Sequence, residues 1–340
     1  MGPRLHGAGR NRIGRLAIRR WLGRCWRAGL LLLKRLVLPL LLLSFLTFGL
    51  LRVAGGDVVE QRQGLGTFLM SEEEQSRRRS ELGLDRPWLQ QYGSWLWRFL
   101  QGDWGRSLVS GQEIRPLLML RFAHSALLAL LALGLALVLA LPLGILGACF
   151  RGTCWDRLGH ALCLLLASLP GFLLALILIQ IFSLELGLLP VLSASRGISG
   201  PGLVLPVLTL ALSLLPKFAL QIRAATIEEV QRSWHGGSLA RGWSARSLLL
   251  RQVCPAVLAR VLPLLGLSLG GLLGGSVIVE TIFMWDGLGH WALDALGQRD
   301  YPVILAYLLL MAVIYLTCSL AVDLICQRLD PRMQRRRRWI

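Results

Sequence analysis

The chain has 340 residues, 54% apolar and only 16% charged, with a mean hydropathy of +0.58; this balance excludes a water-soluble core and describes a membrane protein. Its 37 Lys and Arg against 19 Asp and Glu give a formal net charge of +18, which nucleic acid, a membrane surface or basic loops beside a membrane would each explain, so the placement of the charges decides. Seven cysteines, Cys25, Cys149, Cys154, Cys163, Cys254, Cys318 and Cys326, form no Cys-x-x-Cys pair, and neither a disulfide framework nor a zinc site is supported.

Residues 1–35 are a basic tail with 10 Lys and Arg and no acid. The apolar run 36–51 follows, and 36–52 reads as a first transmembrane helix, because Lys34 and Arg35 at one end and Arg52 at the other can snorkel and lengthen it. A cleaved signal peptide is the alternative; its leader would be unusually long, and Arg52 stands where a small-residue cleavage site belongs. Residues 53–121 form an extracytoplasmic segment. Within it, Ser71 followed by Glu72, Glu73 and Glu74 caps a charged helix over 71–82. Trp88, Tyr92, Trp95, Trp97 and Phe99 then mark an amphipathic helix over 84–100 lying on the membrane–water boundary. This segment is either a packed lid or a docking surface for a soluble partner.

Five more runs, 122–150, 158–184, 203–222 with Lys217 near its end, 261–279 and 301–322, are long enough for a hydrocarbon core of about 30 Å. The expectation is an all-α polytopic membrane protein with six transmembrane helices, the last five forming a core over 122–326, and a second basic tail at 327–340. An N-terminus in the cytoplasm places 25 Lys and Arg on that side, in 1–35, 151–157, 217–260 and 328–338, and 12 on the other. That asymmetry satisfies the positive-inside rule with both termini cytoplasmic. The +18 is then topological, and nucleic acid is not an expected partner.

A cytoplasmic loop at about 226–263 joins the fourth and fifth spans, and a loop this long in a compact membrane protein usually has a task. Gly236, Gly237, Ser238 and Ala240 precede Gly242, which ends one short helix, and Ser244 caps a second. Gly266, Gly270 and Gly274, with Gly271 and Gly275, recur four apart on the fifth span, so a partner helix or subunit can approach closely. Glu280 follows 19 uncharged residues. It is either a pathway or gate residue, or a helix-end carboxylate hydrogen-bonded to the turn at 285–289. Asp323, at the end of the sixth span, has Arg328 or Arg260 as candidate partners.

Catalysis finds no footing. Gly197-Ile198-Ser199-Gly200 has the Gly-x-Ser-Gly spacing of rhomboid-type proteases, but Pro201 and Gly202 put Ser199 in a turn. The five histidines, His6, His124, His160, His235 and His290, converge on neither a nucleophile nor a metal. No Walker-type Gly-x-x-x-x-Gly-Lys-Ser/Thr occurs, and no catalytic, metal or cofactor site is expected in this chain. A non-transporting scaffold or intramembrane enzyme is the alternative from a different class.

The 226–263 loop resembles the coupling loop of ATP-driven importers, in which a small-residue helix, a Gly and a downstream Leu-Pro dock into the nucleotide-binding subunit. Further blocks resemble the dipeptide, oligopeptide and nickel permeases of binding-protein-dependent ABC importers. They are Leu51-Arg52-Val53-Ala54-Gly55-Gly56-Asp57, Leu82-Gly83-Leu84-Asp85-Arg86-Pro87, Gly102-Asp103-Trp104-Gly105-Arg106-Ser107, Ser168-Leu169-Pro170-Gly171-Phe172 and Leu205-Pro206. Gly270 through Gly275, Val279-Glu280-Thr281 through Gly289, Arg299-Asp300-Tyr301-Pro302 and Asp330-Pro331-Arg332 continue the match. The chain departs from the family pattern at Gly55 and Asp286, where Pro is common, at Trp234, often Tyr, and at Gly236-Gly237-Ser238, which replaces Glu/Arg-small-Ala.

The resemblance implies a type I permease fold in a bacterial inner membrane, working by alternating access. Its implied partners are a second homologous permease, two ATPase subunits that use the ATP, an extracytoplasmic solute-binding protein and membrane lipid. Gly236, Gly237, Ser238, Ala240, Arg241, Gly242 and Pro263 are the implied ATPase-docking residues. The block Gln91-Tyr92-Gly93-Ser94-Trp95-Leu96-Trp97 looks closest to nickel-type members, so nickel or a metal–metallophore complex is the expected solute, with di- and oligopeptides as the alternative.

Overall fold

Backbone polar groups cannot be left unpaired in hydrocarbon, so a chain this apolar must fold as helices or as a closed barrel. The computed structural model describes residues 34, 36–50, 86–191 and 200–329; their regular secondary structure is helical apart from one isolated bridge between Arg106 and Glu113, with turns and loops between the helices. The expected helix at 71–82, most of both basic tails and Ser199 lie outside them.

Helix α1 spans Leu36–Leu50, α2 Trp88–Leu100, α3 Ile114–Cys149, α4 Cys154–Ser168, and α5 Gly171–Leu178, which continues as π-helix over Ile179–Glu185. A 3₁₀ turn, Pro201–Leu203, leads into α6, Val204–Val230. Two short helices follow, α7 at Ser233–Ala240 and α8 at Ala245–Leu248, the latter running through a π-turn, Leu249–Val253, into α9, Cys254–Gly275. The chain ends with α10, Val277–Ile282, α11, Leu288–Gly297, and α12, Tyr301–Leu329.

Among the described residues, four helical stretches are long and apolar enough to cross a membrane: Ile114–Cys149, Pro201–Val230, Ala245–Gly275 and Tyr301–Ile325. The other two expected spans differ. The first is the shorter apolar helix α1. The third is broken into α4 and α5, which meet at 105°. Pro170 has no N–H to donate and forces Leu169 out of helical geometry, to φ −87°, ψ 124°, so the helix ends there.

The core is built on small residues. Along α3, Ser125, Ala129, Ala132, Ala136, Ala140 and Gly144 recur three or four apart and are all buried, forming a groove into which α6 sinks. A Cβ on Gly144 would lie 2.7 Å from the Ala219 carbonyl oxygen and from Ile222 Cγ2. α9 packs on α12 in the same manner: a Cβ on Gly266 would overlap Val322, and one on Gly270 would press on Tyr315.

Much of the aromatic face of α2 packs on α1. Tyr92, Trp95 and Trp88 stack on Phe45 and Phe48 of α1 at 4.9–5.7 Å, and the Tyr92 hydroxyl hydrogen-bonds Ser44 Oγ at 2.7 Å. Trp95, Phe99 and Trp104 continue the stack. These rings bury against one another and against α1, while Trp97 stays 64% exposed.

Candidate functional site

At one end of the bundle, α6 hands the chain to α7, whose end is set by Gly242. Its φ of +88° is costly for any residue with a Cβ. The Trp243 and Arg241 amides donate to the Ser238 carbonyl, and the Arg241 guanidinium donates to Ser238 Oγ at 3.0 Å. Ser238 is buried. Gly236, Gly237 and Ala240, one helical turn apart, are exposed, and nothing lies within 4 Å of a Cβ on Gly236. Ser244 caps α8 as expected, accepting from the Ser247 amide at 3.3 Å. Pro263 lies inside α9, well over a turn beyond this exposed knuckle, because α8 and α9 form one continuous helix from Ala245 to Gly275.

A charge network fixes the base of the knuckle. Arg260 of α9 binds Glu228 at 2.7 Å and Glu229 at 3.0 Å, and Arg232, one residue before α7, binds Glu229 at 3.2 Å. Glu229 is buried, where a carboxylate is tolerated only with such partners. Arg260, a candidate partner of Asp323 from sequence, thus joins α9 to the end of α6. Nearby, Arg223 of α6 grips Asp156 of α4 through two hydrogen bonds of 2.7 and 2.8 Å. This pair borders a cavity of about 440 Å³ lined largely by apolar side chains such as Leu143, Phe150 and Trp155.

At the opposite end, Glu280 of α10 is fully buried and accepts four hydrogen bonds. Ser125 and Ser276 donate to Oε1 at 2.7 Å each, and the Gly289 and His290 amides donate to Oε2 at 2.8 and 3.1 Å. This is the geometry of a helix-end carboxylate, one of the two alternatives, with Glu280 at the α11 N-terminus where the unpaired amides and the dipole favour an anion. Ser125 also accepts from the Leu288 amide at 2.8 Å, so one hydroxyl ties α3, α10 and α11. Cβ atoms on Gly287 or Gly289 would collide with this cradle.

Two more motif blocks meet here. Ser107 Oγ and the Leu108 amide donate to the Asp300 carboxylate, and Arg121 forms an ion pair with Asp286 while lying over the Trp291 ring. Of the α9 glycines, Gly266 and Gly270 are consumed by α12. Gly271, Gly274 and Gly275 face open space, with nothing within 4 Å of an added Cβ. Among the described residues, no three His, Cys, Asp or Glu side chains are grouped to hold a metal ion.

Residues 140–335 match the family described as "Binding-protein-dependent transport system inner membrane component". The chain belongs to this family. It is 34% identical over 256 residues to the glutathione transport system permease protein GsiC of Pectobacterium atrosepticum, covering 75% of this chain and 83% of that one. The corresponding Salmonella typhimurium protein is 33% identical over the same coverage. Among solved structures, the inward-facing MetNI methionine ABC transporter shares the fold with a TM-score of 0.53 at 18% identity, over 63% of this chain and 96% of that one. An amino acid ABC transporter crystallised with histidines does so at 0.51 and 19%, over 63% and 94%. The chain is thus a membrane-spanning permease subunit of a bacterial inner-membrane ABC importer rather than an enzyme, and such a subunit works with an ATPase and a binding protein.

Proposed function

We propose that this permease imports small peptides of the glutathione type, driven by ATPase subunits that dock on α7. The observation that carries the docking half is the knuckle itself: an exposed helix with Gly236, Gly237 and Ala240 on its surface, ended by a left-handed Gly242. Small side chains let a partner's surface approach the backbone, and the charge network at Arg232 and Arg260 would pass its displacement to α6 and α9 together. Coupling is then a difference in interaction energy between two global states. Two ATPase subunits use the ATP, a second similar permease completes the pathway, and α7 with both termini faces the cytoplasm.

The peptide half rests on the relatives, whose names carry glutathione; they favour the peptide alternative over nickel or a metallophore. The test is uptake into proteoliposomes holding the purified complex and its binding protein. ATP-dependent accumulation of labelled glutathione, and none of ⁶³Ni²⁺, is the expected result. Accumulation of ⁶³Ni²⁺ alone would restore the nickel reading.

A further inference from the structure

The spanning helices differ in what they expose. α3 turns Leu130, Leu131, Val138, Leu139 and Leu146 outward, as contact with lipid requires. α6 does not. Between its end residues Val204 and Val230, the exposed positions are Ser213, Lys217, Gln221, Ala224 and Glu228, whose spacings of four, four, three and four residues place them on one face. A polar face on a membrane-spanning helix looks into the bundle interior or a water-filled cavity.

Lys217 stands part-way along α6, sixteen residues from Pro201 and thirteen from Val230, and six residues before Arg223, the next charge on that helix. Its Nζ donates to Ser268 Oγ of α9 at 3.1 Å. Among the described residues no carboxylate lies within ion-pair distance of it, while Glu228, lower on the same face, is held by Arg260. From Ser268 the face of α9 continues through Gly271 and Gly275, both exposed with open space beside them. A cation with no counter-charge among the described residues thus sits beside a track of bare backbone on the neighbouring helix.

We infer that Lys217 is an anion-recognition position in the translocation pathway, where its ammonium, steadied by Ser268, binds a carboxylate of the passing solute. The inference rests on the importer reading above and deepens it. A pathway with this cation favours carboxylate-bearing solutes such as small peptides and repels a bare divalent cation.

The test measures the local potential first, because that needs no knowledge of the solute. In the assembled complex, Gln221→Cys, with Ser213→Cys as a second reporter, is labelled with an anionic and a cationic methanethiosulfonate of similar size, and labelling of the native cysteines is subtracted. The expected result is a preference of about fivefold for the anionic reagent, abolished by Lys217→Met and kept by Lys217→Arg. No labelling at either reporter, or no anionic preference, overturns the inference; the second outcome would mean that a carboxylate of the partner permease already neutralises Lys217. Glutathione uptake per assembled complex is the second arm: Lys217→Met is expected to lower it at least tenfold and Lys217→Arg to preserve it, whereas full uptake by Lys217→Met overturns the inference. An anionic preference at the reporters, with a wild-type complex that moves no glutathione, would refute the proposed solute and leave Lys217 standing.

Discussion

Glu280 accepts four hydrogen bonds in a site closed to solvent, so removing its carboxylate strands two backbone amides and two hydroxyls at once. Each stranded donor costs roughly 1–3 kcal/mol. Glu280→Ala should lower the melting temperature of the detergent-purified chain by many degrees, and Gly289→Ala should do the same by crowding Val277 and Glu280, both read by a thermal-shift assay. An unchanged melting temperature in either would contradict the cradle. The sequence placed Glu280 at a helix end beside the 285–289 turn, since a carboxylate after a long apolar run is conspicuous. It did not disclose Ser125, because nothing local marks a serine 155 positions away as its donor. Asp286 departs from the family's usual Pro, yet Arg121 supplies it with a counter-ion.

The helices themselves divide by what local sequence controls. Pro170 marks a helix end, and the break follows from its missing N–H; that the two halves turn by 105° depends on packing that no window of residues contains. Hydropathy also set the start of the fifth span at 261, whereas the helix begins at Ala245, because charged residues such as Arg246, Arg251 and Arg260 end an apolar run without ending a helix. Pro263 belongs to the coupling loop only through the resemblance to a downstream Leu-Pro, and it lies inside α9. Packing predictions belong here. Gly266→Leu would drive its side chain into Val322 of α12 and should cost about 1–3 kcal/mol, seen as reduced accumulation and a lower melting temperature. Gly274→Leu, facing open space in this chain, should leave the isolated chain's stability unchanged, and an equal loss in both variants would contradict the assignment of faces. The small-residue groove of α3 from Ser125 to Gly144 was present in the sequence as a three-and-four repeat of Ala, but uniform hydrophobicity around that helix concealed it.

For the whole molecule, the proposal is mechanical: α7 is the handle, and the Glu228, Glu229, Arg232 and Arg260 network connects it to α6 and α9. Arg260→Ala leaves buried Glu229 with one of its two cations. It should therefore reduce transport more than ATP hydrolysis, a ratio measured in proteoliposomes; parallel losses would point to folding instead. Composition and charge made the membrane class and the permease family legible from motif blocks that the fold brings together, such as Ser107 with Asp300. The solute was not legible there, since permeases that carry a chelate or a peptide need no ligand cluster of their own.

The central claim is that α7 couples this permease to ATP hydrolysis. The direct measurement is ATP-dependent solute uptake and ATPase activity of the reconstituted complex, wild type against Gly242→Val, whose φ of +88° a β-branched residue cannot adopt without strain. The account predicts that the variant inserts and accumulates normally while uptake falls by at least tenfold relative to ATP hydrolysed. Full uptake at an unchanged ratio would contradict it.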